Sequence, residues 1–138
     1  PLRSGRGVEK NYPAAYEWFL RATDNDYPPS EYMLGLMYHQ GHGVAVNFER
    51  ARLWFLKAAK QGYANAQFMY AYMIQTGEGE KSDPPKAMVW ALVSEKNGKS
   101  DAVAITVPAS MTMTELEIST AERIANECYQ SNYQNCPE

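Results

Sequence analysis

Cysteine and histidine are scarce. Cys128 and Cys136 are the only cysteines, and His39 and His42 the only histidines, among 138 residues. The cysteines stand eight residues apart, a spacing that matches no zinc or redox motif. His39 and His42 have no third ligand nearby in the sequence, so no metal and no cofactor is expected. Positive charge is not in excess either: 13 Lys and Arg face 16 Asp and Glu, and the basic residues form no stripe that could follow a phosphate backbone. Nucleic acid is therefore not the expected partner. No apolar run approaches the roughly 20 residues of a membrane-spanning helix, so membrane insertion is not expected. The serine motifs S-x-x-K and G-x-S-x-G are missing, as is K-T-G, which leaves no visible apparatus for acyl transfer by those routes. Pro1 opens the chain with neither a methionine nor a leader pattern; the start reads as a cut end.

What the chain does have is a period of 36. Trp18, Trp54 and Trp90 share this step, as do Ala15, Ala51 and Ala87, and the glycine sets Gly5, Gly41, Gly77 and Gly7, Gly43, Gly79. Several independent columns in one register define a repeat array. Within a unit, Ala51, Trp54, Phe55, Ala58 and Ala59 recur at helical spacing, one apolar face of a helix B expected at 12–25, 48–61 and 84–97. Asn11, Asn47 and Asp83 stand just before these helices as N-caps, and Gly62 and Gly98 follow as C-terminal stops. A helix A is expected at 30–40 and 66–76, ending at Gly41 and Gly77. His39 and His42 do not recur at the repeat step, whereas the glycines around them do, so HQGHG reads as the bend between helices rather than a metal or phosphate site.

Residues 34–62, LGLMYHQGHGVAVNFERARLWFLKAAKQG, resemble the Sel-1-like repeat, a relative of the tetratricopeptide repeat. The resemblance rests on Leu34-Gly35, Tyr38, the G-x-G-V turn, the A-x-x-W core and the K-A-A-x-x-G exit. It implies an all-α, right-handed superhelical solenoid: the back half of one repeat at 1–29, repeats at 30–65 and 66–101, and a C-terminal cap at 102–138. Residues 102–110, with Pro108, are expected to form a short or irregular helix, followed by a capping helix begun by Thr112 with Glu115 or Thr114 with Glu117. The expected core is Trp18, Leu34, Tyr38, Ala51, Trp54, Ala58, Ala87 and Trp90, each tryptophan lying between helices of adjoining units.

The resemblance implies a non-catalytic scaffold that holds a protein or peptide on a concave surface lined by helix A. There Tyr32, Leu36, His39 and Gln40, then Phe68, Tyr72, Gln75 and Thr76, would offer aromatic area and amides to an extended chain. The opposing reading has the tyrosines and methionines of helix A, Met33, Met37 and Met69 among them, filling gaps between helices. Two other functions stand beside it: self-association through the first half-repeat around Trp18 and Phe19, and β-lactam binding or hydrolysis, which cysteine-rich relatives suggest but whose cysteine pair in every repeat this chain lacks. A segment folding back along the last helix could join Cys128 to Cys136, which would place the protein in a periplasmic or extracellular setting. Two free thiols and a cytosolic location are the alternative.

Overall fold

The computed structural model describes residues 11–138. Gly5 and Gly7 of the repeat register lie outside them. The described residues form seven α-helices and two short 3-10 turns, with no strand among them: α1 (Tyr12–Ala22), α2 (Pro28–Gln40), α3 (Phe48–Ala59), α4 (Ala64–Thr76), α5 (Pro84–Lys96), α6 (Val103–Ser110) and α7 (Glu115–Gln130). Consecutive helices pack on one another from α1 to α6, and α7 lies along α5. The result is an all-α solenoid in which α2, α4 and α6 are the A helices and α1, α3, α5 and α7 the B helices.

Local chemistry sets the helix starts. Asn11, Asn47 and Asp83 each accept a hydrogen bond from the backbone N–H three residues on, at 3.0–3.2 Å. These bonds satisfy first-turn donors that have no partner inside the helix. Thr114 and Glu117 close a full capping box at α7; Thr112 lies outside the helix. Helices A begin two residues before the sequence suggests, at Pro28 and Ala64, because Tyr27 and Tyr63 occupy their N-caps without any side-chain bond. They end where Gly41 adopts φ 76° and Gly77 φ 79°, the left-handed geometry that turns the chain into helix B. Pro108 sits inside α6, which is only eight residues long.

Packing runs along a single column of helix B. Phe55 is fully buried against Gly35, where an added Cβ would come within 2.5 Å of its ring. One unit later the large and small partners become Ala91 and Ala71, both fully buried. In the last B helix, Ala121, Ala125 and Cys128 fill the buried face. Ala121 and Ala125 stand thirty-four residues after Ala87 and Ala91, so the step shortens by two at the final hairpin, where a four-residue link joins α6 to α7.

The tryptophans depart from the expected core. Trp90 is fully buried, with Tyr70 edge-on to its ring and its Nε1 donating to the Pro137 carbonyl at 2.8 Å. Trp54 is only half-buried, with the Lys57 ammonium 5.7 Å from its ring centre. Trp18 is 72% exposed. The tryptophan column lies one residue, about 100°, around helix B from the Phe55 column, and at Trp90 it is covered by Tyr70 of α4 on one side and by Pro137 on the other. A tryptophan in this column is buried only where something crosses it, as the chain does at Trp90. The cost of truncation should follow this order. Trp90→Ala is expected to lose about 3–5 kcal/mol and Trp54→Ala less, while Trp18→Ala should stay within about 0.5 kcal/mol; urea melts of the three variants check the ranking.

Candidate partner-binding surface

The side lined by α2 and α4 carries the eight residues singled out by sequence, and it splits them. Tyr32 packs against Phe55 and Tyr63, with ring centres 5.8 and 5.4 Å away. Phe68, one unit on, lies half-buried under Lys99, whose ammonium is 5.5 Å from its ring centre. Tyr63 and Lys99 are themselves 36 apart, so each A helix has this ring covered by the segment that enters the next one. Leu36 is half-buried against the same core. Tyr32, Leu36 and Phe68 thus pack against the core.

The remaining five form a shorter stripe. Gln40, Tyr72 and Thr76 are exposed, Tyr72 at 39%. His39 is half-buried beside Phe48 and makes a 3.0 Å hydrogen bond from Nε2 to Glu78, in the bend of the following unit. Its Nδ1 is buried with no hydrogen-bond partner, and so is Oε1 of Gln75, the residue in the same place one unit later. A buried polar atom left unpaired costs about 1–3 kcal/mol. Glu31 Oε2, also on α2, lacks a hydrogen bond too but has the Lys57 ammonium 3.6 Å away, whereas the His39 and Gln75 atoms stand unpaired at equivalent positions of two units. Among the described residues no group of three or more His, Cys, Asp or Glu side chains is disposed to hold a metal ion.

Two sets of polar ties were missed by sequence reasoning. Glu31 is fully buried in the first turn of α2, and Gln61 Nε2 donates to its carboxylate at 2.6 Å. Gln67, also fully buried, holds the same place in α4 and faces Asn97, the counterpart of Gln61. Gln67 further donates to the Ala59 carbonyl at 3.0 Å, and Asn97 to the Gly62 carbonyl at 2.6 Å. The signal was present as a polar pair repeating at 31 with 61 and 67 with 97. The second tie is Arg52, buried on α3, which donates to the Glu78 carbonyl at 2.9 Å and pairs with Glu80 at 3.2 Å. It thereby fixes the bend of the next unit and lies over the ring of Tyr70.

The other side is formed by the B helices, and there the chain after α7 folds back. Cys128 and Cys136 are joined by a disulfide, with Cα atoms 4.7 Å apart. Pro137 and Glu138 then lie across α5 towards α3, against Trp90, Tyr70, Lys60 and Lys86. Burial pushes the Tyr70 hydroxyl up to about 12, with Glu80 and Glu138 adding to the rise against the opposing Arg52, so it remains a donor at neutral pH.

These features define the class: an α-helical repeat solenoid whose units are held by small-to-large packing and by one polar pair each. The chain belongs to the Sel1 repeat family, whose model matches residues 2–27, 28–63 and 64–98. Among solved structures it is similar to a Sel1 repeat protein from Oxalobacter formigenes, at 28% identity and a TM-score of 0.72 over 93% of this chain and 53% of that one. It is also similar to c5321, a protective antigen of uropathogenic Escherichia coli strains with an SLR fold, at 25% identity and a TM-score of 0.82 over 91% of this chain. The chain spans only 27% and 53% of the lengths of those two proteins. No curated protein matches it. Among the described residues no helix is long and apolar enough to cross a membrane.

Glu31 makes one part of this account measurable. Burial raises its pKa above the ordinary 4.5, an effect that Lys57 and Gln61 only partly offset. A carboxyl with a raised folded-state pKa takes up its proton more readily when folded, so stability falls as pH rises through the interval between 4.5 and the raised value. Glu31→Gln installs the amide that Gln67 already supplies one unit later. It should raise Tm at pH 7 and flatten the dependence of Tm on pH above 4.5, as thermal melts across that range would show.

Proposed function

We propose that this chain is a non-catalytic scaffold that holds an extended peptide or protein segment on the side lined by α2 and α4. The observation that carries the reading is the pair of unsatisfied polar atoms, His39 Nδ1 and Gln75 Oε1, one unit apart. They lie beside the exposed Gln40, Tyr72 and Thr76. Both are acceptors while His39 Nε2 donates to Glu78, so modest side-chain rotation at these two positions would let two N–H groups of a partner backbone reach them. Tyr72 adds aromatic area with little conformational freedom to lose. The disulfide suits an oxidising compartment, so a periplasmic or secreted setting is part of the reading. Affinity capture from the native compartment tests it. Tyr72→Ala and Gln75→Ala should each weaken capture at least tenfold with little change in Tm, and a prey set retained by both variants would remove the stripe as the binding surface.

A second reading is favoured by Trp18, whose 72% exposure leaves a large aromatic face open on α1. Exposed apolar area of this kind supports self-association. Light scattering against concentration should then show a dimer that Trp18→Glu disperses, and a monomer at every concentration would end this reading.

A further inference from the structure

The segment after α7 is used neither by the repeat nor by the stripe on α2 and α4. Asn132 and Tyr133 hold left-handed backbone, with φ 57° and 66°, a conformation that a tyrosine rarely adopts. This bend returns Cys136 to Cys128 and seats Tyr133 on Gly62, where an added Cβ would come within 2.9 Å of its ring. The next two residues cross the B-helix side. Trp90 donates to the Pro137 carbonyl at 2.8 Å, and the Tyr70 hydroxyl donates to the Glu138 carbonyl at 3.4 Å. The Lys86 ammonium reaches that same Glu138 oxygen, while the Lys60 ammonium pairs with the Glu138 carboxylate.

Trp90 addresses an internal main-chain carbonyl, that of Pro137, whatever the side chain. Tyr70 and Lys86 converge on a single main-chain oxygen of Glu138, and Lys60 meets its acid. The crossing also leaves space on both flanks. A cavity of about 470 Å³ opens between α5 and α7, lined by Pro85, Val89, Leu116 and Ile124, and one of about 370 Å³ opens over α3 and Tyr70, lined by Arg52, Leu53 and Leu56. Pro137 borders the first and Glu138 the second, so the segment runs from one cavity to the other across α5 and the three together form a continuous trough. Leu53 and Leu116 on its walls stay largely exposed, at 67% and 75%. The walls are mixed, with Asp83 and Glu117 beside the apolar residues of the first cavity and Glu49 and Glu80 beside those of the second. An acid is therefore favoured only at the crossing itself, where Lys60 and Lys86 converge on Glu138. A backbone-directed donor between apolar contacts suits a bound peptide.

We propose that this trough binds an extended segment of a partner protein carrying a proline followed by an acidic residue, and that residues 136–138 occupy it in cis as a displaceable stand-in. The disulfide tethers the stand-in and keeps its local concentration high, so a partner must outcompete it. The site lies across α3, α5 and α7 and stands or falls independently of the stripe on α2 and α4.

The probe is a fluorescein-labelled hexapeptide, YQNSPE, blocked at both ends and followed by anisotropy. Pro137→Gly combined with Glu138→Lys loosens the stand-in while keeping both cysteines. This variant should bind the probe at least tenfold more tightly than the unmodified chain. Adding Lys60→Glu and Lys86→Glu should lower that binding at least tenfold, and so should replacing the probe's acid by lysine. Equal binding by the loosened and unmodified chains, no binding to either, or indifference to the charge reversals would overturn the proposal. Should the double variant lose cooperative melting, Glu138→Lys alone takes its place under the same criteria.

Discussion

The whole arrangement depends on the close approach of each A helix to its B helix, and a missing side chain makes that approach possible. Gly35 leaves room for the ring of Phe55, and Ala71 with Ala91 reaches the same closeness with two small residues. A helical hairpin of this size cannot bury its apolar stripe alone, so its stability comes from the neighbour stacked on it. The near-constant step of 36 follows, because every unit must present the next with the same surface. Where the step shortens, at the final hairpin, the small-residue column of α7 still meets α5.

Polar chemistry then sets the register that apolar packing leaves loose. The Glu31–Gln61 and Gln67–Asn97 pairs fix the angle between the start of helix A and the end of helix B in each unit. Arg52 locks the following bend by bonding its backbone. Such buried polar contacts are costly when unmet and so disfavour slipped stackings. Against this background the unpaired atoms of His39 and Gln75 stand apart, because they recur at the same place in successive units, while the third such atom, Glu31 Oε2, faces the Lys57 ammonium.

The period, the cap residues Asn11, Asn47, Asp83 and Thr114, and the glycine bends were all readable in the sequence, because each is a local requirement written at a fixed spacing. The starts of the A helices were less so, since Tyr27 and Tyr63 carry no capping oxygen. Ala51, Ala58 and Ala87 of the expected core are fully buried, but the choice between the large neighbours was not readable: Trp54 and Phe55 are adjacent and both hydrophobic, and their fates are decided by what lies opposite. The same applies to the expected surface. Tyr32 and Phe68 look like binding aromatics until Tyr63 and Lys99 from the next unit close over them, whereas Tyr72 and Thr76 have no such cover. The crossing of Pro137 and Glu138 over Trp90 had no periodic signature to announce it.

Most ties here join immediate neighbours, as Lys57 does with Asp26 and Glu31. The segment from Cys136 to Glu138 is different, for it links α7 to α3 and passes over α5. The rod is therefore unevenly elastic. Under tension its first hairpin would yield first, while everything from α3 onward would resist as one braced block for as long as residues 136–138 stay seated.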